Sequence, residues 1–472
     1  MRIASLLALL LVSPAVCADP YAYPAAWATY RGSHTRTGNT DGVAGPAQPA
    51  VLWAMKSQDH FIASPVPVGD KLFVSGLGGF NRPTISLFPL TAKGMAKPAW
   101  TKSAPYLKLA SVSSPAVVGN ALVFGDGMHQ DSGGMLHCVT ADTGKPLWQL
   151  VMPGNLVHLE GAPTVWGGKV FMGGGAAGVF CLEHGKAVLD GKELDLATIA
   201  TMQDAKWKEL QAKFEKDKKA DPDLALEPSD DQLHKPAPKM LWQKGKDKWH
   251  VDAPVNVHSG MVLVPSSYLD KEKVGERALI CLQASTGETL WTAPLTLNPW
   301  GGASVADGVV IVPGSSIGYY YNELRGAKGD ITALFSGTGK QVWRKEIPGG
   351  VVGAVAIADG LAVCTATDGK VRAFKLADGE RAWLYDTKTP TFAPPAVVAG
   401  VAYVADLLGT VHAIDMKTGT PRWTLSIAKE VGSPGMVYGG VTVHGGKLFV
   451  ATCNLEGPSA RKETVVVCIG SK

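Results

Sequence analysis

The chain has 472 residues, 46% of them hydrophobic and 18% charged, which are the proportions of a folded globular protein and exclude a disordered one. A net charge of +4 is weak for this length, and no basic run carries interleaved aromatics, so the sequence has no nucleic-acid-binding footprint. Length alone would allow two or three domains, but an internal repeat reduces them to one.

Met1-Arg2 lead into an apolar run from Ile3 to Val12, and Val16-Cys17-Ala18 place small residues before Asp19. This pattern predicts a secretory signal over residues 1–18, because the run is too short to span a membrane. No other segment approaches spanning length. Cys17 offers a lipid-anchor alternative, which is disfavoured because Pro14-Ala15-Val16 lacks a leucine three positions ahead. The expected location is the periplasm or cell envelope. Residues 19–50 then form a lead-in segment.

From residue 51 to 470 a tryptophan keeps returning, as Trp53, Trp100, Trp148, Trp242, Trp291, Trp343, Trp383 and Trp423. By subtraction the intervals are 47, 48, 94, 49, 52, 40 and 40 residues. The 94 is one repeat plus an insertion. A period of roughly 40–50 residues marks a β-propeller or a related array. The clearest unit runs from Ala393 to Trp423. Pro395–Val398 and Val401–Val404 form a hairpin around Ala399-Gly400, and Gly409–Asp415 alternates as a third strand. Lys417-Thr418-Gly419-Thr420 makes a tight turn, and Pro421-Arg422-Trp423 begins a fourth strand. Eight inner hairpins and eight tryptophans predict an all-β fold, an eight-bladed propeller of four-stranded antiparallel blades. The tryptophans are expected to wedge structurally between blades. The chain ends on a third strand, Thr464–Ile469, and the segment around Trp53 has no blade of its own. Pairing the two would close the ring and remove an open edge.

Beyond Cys17, Cys138, Cys181, Cys281, Cys364, Cys453 and Cys468 make an even set, which in an exported protein invites a disulfide reading. The repeat argues otherwise. Cys138, Cys181, Cys281 and Cys468 fill the third-strand slot that Ala333, Ala373 and Ala413 fill elsewhere, so they read as small buried hydrophobes in separate blades. There is no CxxC, CxxCH or zinc-spaced His/Cys cluster.

Residues 184–240 interrupt blade three. Leu196, Ile199, Trp207, Leu210 and Phe214 share one face at helical spacing, with Asp195 as N-cap. An amphipathic α-helix is therefore predicted in this insertion, packed on the propeller rim.

In a four-stranded blade, the loops before each inner strand and the second-to-third loops share one face and crowd the channel mouth. In blades three to five the residues before the inner strand include His158, Glu160, His250, Asp252, Asn298 and Trp300. Glu160, Asp252 and Asn298 offer oxygen ligands of the kind Ca²⁺ takes. His158 and His250 offer acid–base chemistry, and Trp300 offers a stacking surface. The second-to-third loops carry Met128–Asp131, Tyr268–Asp270, Tyr319–Glu323 with Arg325, and Cys453–Glu456. A concave mouth with convergent polar groups is the expected ligand site.

The run from Val411 to Trp423 resembles the pyrroloquinoline quinone (PQQ)-type propeller repeat, with its strand, Thr-Gly turn and tryptophan. Leu136–Trp148 and Val371–Trp383 resemble it too. The likeness covers Leu52 to Ile469 apart from the insertion. Trp27-Ala28-Thr29-Tyr30-Arg31-Gly32 is similar to the start of other exported PQQ-like propellers. That superfamily joins quinoprotein alcohol dehydrogenases, which hold PQQ and Ca²⁺ at the mouth, to non-catalytic scaffolds of outer-membrane assembly. The dehydrogenases are longer and carry adjacent cysteines, which this chain lacks. The resemblance therefore implies a non-catalytic binding or scaffold protein, monomeric, meeting envelope proteins or a small molecule at the mouth. The alternative is a PQQ- and calcium-dependent oxidoreductase acting on alcohols or sugars.

Overall fold

The computed structural model of the chain describes residues 29–78, 82–129 and 131–472. The expected signal at 1–18, the anchor alternative at Cys17 and the resemblance at Trp27 lie outside the described residues. The fold is an eight-bladed β-propeller with a helical insertion after the third strand of blade three. The unit with the clearest repeat shows the pattern. Ala396–Val398, Val401–Ala405, Thr410–Asp415 and Pro421–Ser426 pair antiparallel in chain order, from the channel outward.

The tryptophan repeat has a specific packing cause. Trp53, Trp148, Trp242 and Trp291 stand opposite Cys468, Cys138, Cys181 and Cys281 on the third strand. Trp343, Trp383 and Trp423 stand opposite Ala333, Ala373 and Ala413. Directly opposed side chains share a sheet face, so the large indole requires a small partner. A register shift beside each of these seven tryptophans turns the strand locally. Blade one departs from the rule, with Trp100 opposite Leu87 and no shift. The six cysteines among the described residues are buried and free.

Five of the eight indoles also reach the next blade by a hydrogen bond, whereas Nε1 of Trp53 and Trp148 is buried without a partner. Nε1 of Trp242, Trp291, Trp343 and Trp383 donates to the carbonyls of Ala284, Ser336, Leu376 and Met416, at 2.7–3.1 Å. Trp100 donates to Ala141, and Trp423 to Pro46 in the lead-in segment. The Thr-Gly turn of one blade thus covers the tryptophan of the blade before it.

The ring closes as the strand count requires. Blade eight takes Thr442–His444, Lys447–Ala451 and Thr464–Ser471 from the end of the chain and Pro49–Ser57 from its beginning. The last two pair from Pro49–Ser471 to Ser57–Thr464.

The lead-in segment runs inside the ring, which the sequence pattern did not suggest. The inner strands leave one row of backbone groups facing the channel. N–H groups of Val305, Ile357, Val397 and Val443 donate in turn to the carbonyls of His34, Thr35, Thr37 and Gly38. The segment thereby satisfies inner edges of blades five to eight. Arg31 and Arg36 are buried in this channel. Arg31 donates to the carbonyls of Arg36 and Pro395, and Arg36 to those of Tyr30 and Val255.

The insertion comprises a hairpin, Lys186–Leu189 with Lys192–Asp195, the helix Leu196–Ala220 and a single turn at Asp230–Gln232. Asp195 caps the helix by accepting from the Thr198 N–H. Only the first half of the helix is seated, with Ile199 and Gln203 buried. Gln203 exchanges two hydrogen bonds with the His234 backbone. Asp204 pairs with Lys145 of blade two, and Asp230 with Lys102 of blade one. Trp207, Leu210 and Phe214 stay half-exposed. The apolar face read from the sequence is therefore longer than the surface that receives it.

Candidate functional site at the channel mouth

Three loops from neighbouring blades bring the mouth residues together. His129 lies in the second-to-third loop of blade two. His158 and Glu160 lie on the connection into blade three, and His250 and Asp252 on the connection into blade four. Each connection is pinned by backbone bonds: Leu159 N–H to Asp126, Val251 N–H to Gly175 and Ser267 N–H to His250. Gly175 has φ +55° and sits against the imidazole edge of His158, where a Cβ would come 3.0 Å from Nε2. The backbone is held so that the imidazoles have room to converge.

Asp252 is the hub. His158 Nε2 donates to its Oδ1 at 2.8 Å, and His129 Nδ1 donates to its Oδ2 at 3.3 Å. His250 Nε2 stands 3.0 Å from Oδ2, yet neither ring nitrogen of His250 makes a hydrogen bond. The short distance and the missing bond are compatible, because the N–H vector does not point along the line between the atoms. The imidazole rings are 5.3–5.7 Å apart, centroid to centroid. His158, His250 and Asp252 are buried, and His129 is partly open.

The electrostatics follow from crowding three imidazoles around one carboxylate. Burial alone would raise Asp252, but the charges of His250 and His158 and the bonds from His129 and His158 hold it well below the usual carboxylate range. Burial alone would lower His158, but the Asp252 charge and hydrogen bond, with Glu160 beyond, lift it to about 9. His129 is raised chiefly by its bond to Asp252. Glu160 is pushed up to about 7 by burial and by the Asp252 charge, against the pull of His158 and His129.

The other two expected residues sit apart from the hub. Asn298 is spent on its own loop. Its Oδ1 accepts from Tyr268 N–H and Arg277 Nε, and its Nδ2 donates to the Tyr268 carbonyl. Trp300 stands edge-on to His129 at 6.4 Å, with a buried Nε1 that has no partner. It begins an apolar wall that continues through Tyr319, Phe392, Met436 and Tyr438 on blades five to eight. The blade-five loop crosses to blade eight, where Tyr321 N–H donates to Glu456 at 2.8 Å. The mouth therefore has a polar half on blades two to four and an aromatic half opposite. His129 was legible as part of a mouth loop, but its loop gave no sign that it would reach Asp252.

A Ca²⁺-bound quinone does not fit these donors. Ca²⁺ takes six to eight oxygens. Asn298 is already satisfied, the Asp252 oxygens face three imidazoles, and Glu160 alone remains of the three oxygen donors expected from the sequence. No two cysteines are adjacent.

Fold and mouth together define an eight-bladed PQQ-like propeller whose ring is closed by its own N-terminal strand. The family model for outer membrane protein assembly factor BamB matches residues 40–202 and 280–454, and the chain belongs to that family. No curated protein sequence matches it. The fold is similar to BamB from Moraxella catarrhalis, at 15% identity and a TM-score of 0.56, over 89% of this chain and 97% of that one. It is also similar to quinohemoprotein alcohol dehydrogenase from Comamonas testosteroni, at 13% identity and a TM-score of 0.64, over 96% and 82%. A europium-containing methanol dehydrogenase matches at 12% identity and a TM-score of 0.61, over 95% and 98%. At these identities the likeness concerns the fold alone. Among the described residues no helix is long and apolar enough to cross a membrane.

Proposed function

We propose that the chain is an exported, non-catalytic binding or scaffold propeller of the periplasm or cell envelope, acting as a monomer through its channel-mouth face. One observation carries the non-catalytic half. The donors do not suit a calcium quinone, because Asn298 is held by the Tyr268 backbone and the neighbours of Asp252 are imidazole nitrogens, whereas Ca²⁺ takes oxygens. Family membership supports an envelope protein as the partner. Tyr320, Leu408 and Leu455 support the choice of face. These three large apolar side chains are exposed on second-to-third loops of blades five, seven and eight, on the mouth side.

The competing reading is a PQQ- and calcium-dependent oxidoreductase, and a titration separates the two. Residues 19–472 are titrated with PQQ, with and without Ca²⁺, following tryptophan fluorescence and reduction of an acceptor dye in the presence of alcohols and sugars. The expected result is no saturable quenching and no turnover. Saturable, calcium-dependent quenching with dye reduction would replace the scaffold by the dehydrogenase. Export is tested by N-terminal sequencing of the protein from the envelope fraction, where a start at Asp19 is expected.

A further inference from the structure

His129, His158, His250 and Asp252 each offer one ligand atom, and all four atoms lie within 4.8 Å of one another. It is the one group of this kind among the described residues. We propose that these four side chains form a closed binding site for a divalent late transition-metal ion of the zinc class, which clamps three loops at the channel mouth.

The case rests on what the histidines lack. Two other buried His–Asp pairs in this propeller show what a structural pair looks like. His137 bonds Asp126 through Nε2 and Gln149 through Nδ1. His412 bonds Asp406 through Nε2 and the Tyr385 hydroxyl through Nδ1. Both rings use both nitrogens. His250 uses neither, although it is as buried as His137. A buried ring nitrogen without a partner requires an explanation. Here Nε2 and the Asp252 oxygen stand 3.0 Å apart without bonding, as two ligands do when both face a third body.

The donor set selects the ion. Three imidazoles and one carboxylate suit zinc, copper, nickel or cobalt, whereas Ca²⁺ and Mg²⁺ require oxygen. Tetrahedral ligands at zinc distances stand roughly 3.4 Å apart. Closing this set from a widest separation of 4.8 Å therefore asks for about 1.4 Å of approach, and His129, on a loop and partly exposed, is the member free to move. Four protein ligands leave no open position, which marks a structural site rather than a catalytic one. The ligands come from blade two, the connection into blade three and the connection into blade four. Occupancy would fix the polar half of the mouth, opposite the exposed apolar loops of blades five, seven and eight that support this face for the proposed partner. The inference goes beyond the scaffold reading and can fail while that reading stands, because it concerns the ion and no partner.

The test uses residues 19–472, freed of metal by a chelator and dialysed, then titrated with Co²⁺ alone and with Zn²⁺ in competition. The expected result is one equivalent of Co²⁺ with the visible absorption of a tetrahedral nitrogen–oxygen site. Zn²⁺ should displace it, excess Ca²⁺ should not, and Zn²⁺ should raise the melting temperature. His250→Ala and His129→Ala should each weaken Co²⁺ binding by about tenfold or more. If His250→Ala does not fold, His129→Ala decides, because its ring is partly exposed and its loss leaves the buried core intact. Absence of stoichiometric Co²⁺ binding overturns the site, as does wild-type affinity in either folded variant.

Discussion

Gly419 sits directly on Trp383. A Cβ added to Gly419 would come 2.8 Å from the Cβ and Cγ of Trp383, across the boundary between blades six and seven. The same contact recurs between Gly144 and Trp100, Gly287 and Trp242, Gly339 and Trp291, and Gly379 and Trp343. The Thr-Gly turn and the tryptophan are therefore two halves of one contact between successive blades, although each repeat carries both in a single run of sequence.

Gly419→Ala should destabilise the propeller by about 2–4 kcal/mol, from a left-handed backbone at φ +73° plus the clash with the indole. Gly400→Ala has the same φ and open space around it, so it should cost only about 1 kcal/mol. Chemical denaturation of the two variants reads the difference. Equal losses would mean that the turn does not bear on Trp383.

Trp383→Ala should cost about 3–5 kcal/mol, because it empties a core position between two blades. Trp383→Phe keeps a ring but leaves the Met416 carbonyl without its 2.7 Å donor. It should fall between wild type and Trp383→Ala in the same denaturation series.

Deleting residues 19–55 removes most of the outer strand of blade eight and the whole channel segment. A large drop in melting temperature is expected by calorimetry. Melting coincident with the full-length chain would contradict closure by this strand.

Asp415 gives an acid-dependent term. Its carboxylate accepts from Arg422 and from the backbone N–H groups of Thr418 and Lys417. The Arg422 bond, followed by the Thr418 backbone bond, holds it at about 2. A folded-state pKa below the ordinary 3.8 contributes stability that is present above pH 4 and lost as pH falls towards 2. Asp415→Asn should melt below wild type at neutral pH, and the gap should narrow on acidification. A gap independent of pH would leave the carboxylate's charge without a role in the turn.

Much of this was legible in the sequence because one physical requirement repeats. A large indole opposite a small residue, with a glycine turn to cover it, leaves the same marks in blade after blade. Cys468 opposite Trp53 even carries the pattern across the chain's two ends. The mouth was partly legible, since position before an inner strand predicts which residues share a face. His158, His250 and Asp252 meet there. Asn298 shares the position but turns its amide back on the Tyr268 backbone, a local choice that residue type cannot reveal. The course of residues 29–39 was not legible at all. It is set by unpaired backbone groups on other blades, at Val305, Ile357, Val397 and Val443, and these have no side-chain signature.

That channel segment has a consequence for how the molecule is made. Its residues leave the ribosome early, yet their partners lie as far away as Val443, and Trp53 waits for Cys468. A chain of such long-range contacts folds slowly, because the entropy of closing the loop is lost before any contact offsets it. Until the last strand arrives, an incomplete ring exposes two raw sheet edges and an empty bore, which are sites for joining other chains. The molecule is thus vulnerable to misassembly through most of its synthesis and becomes secure only when its final residues are in place.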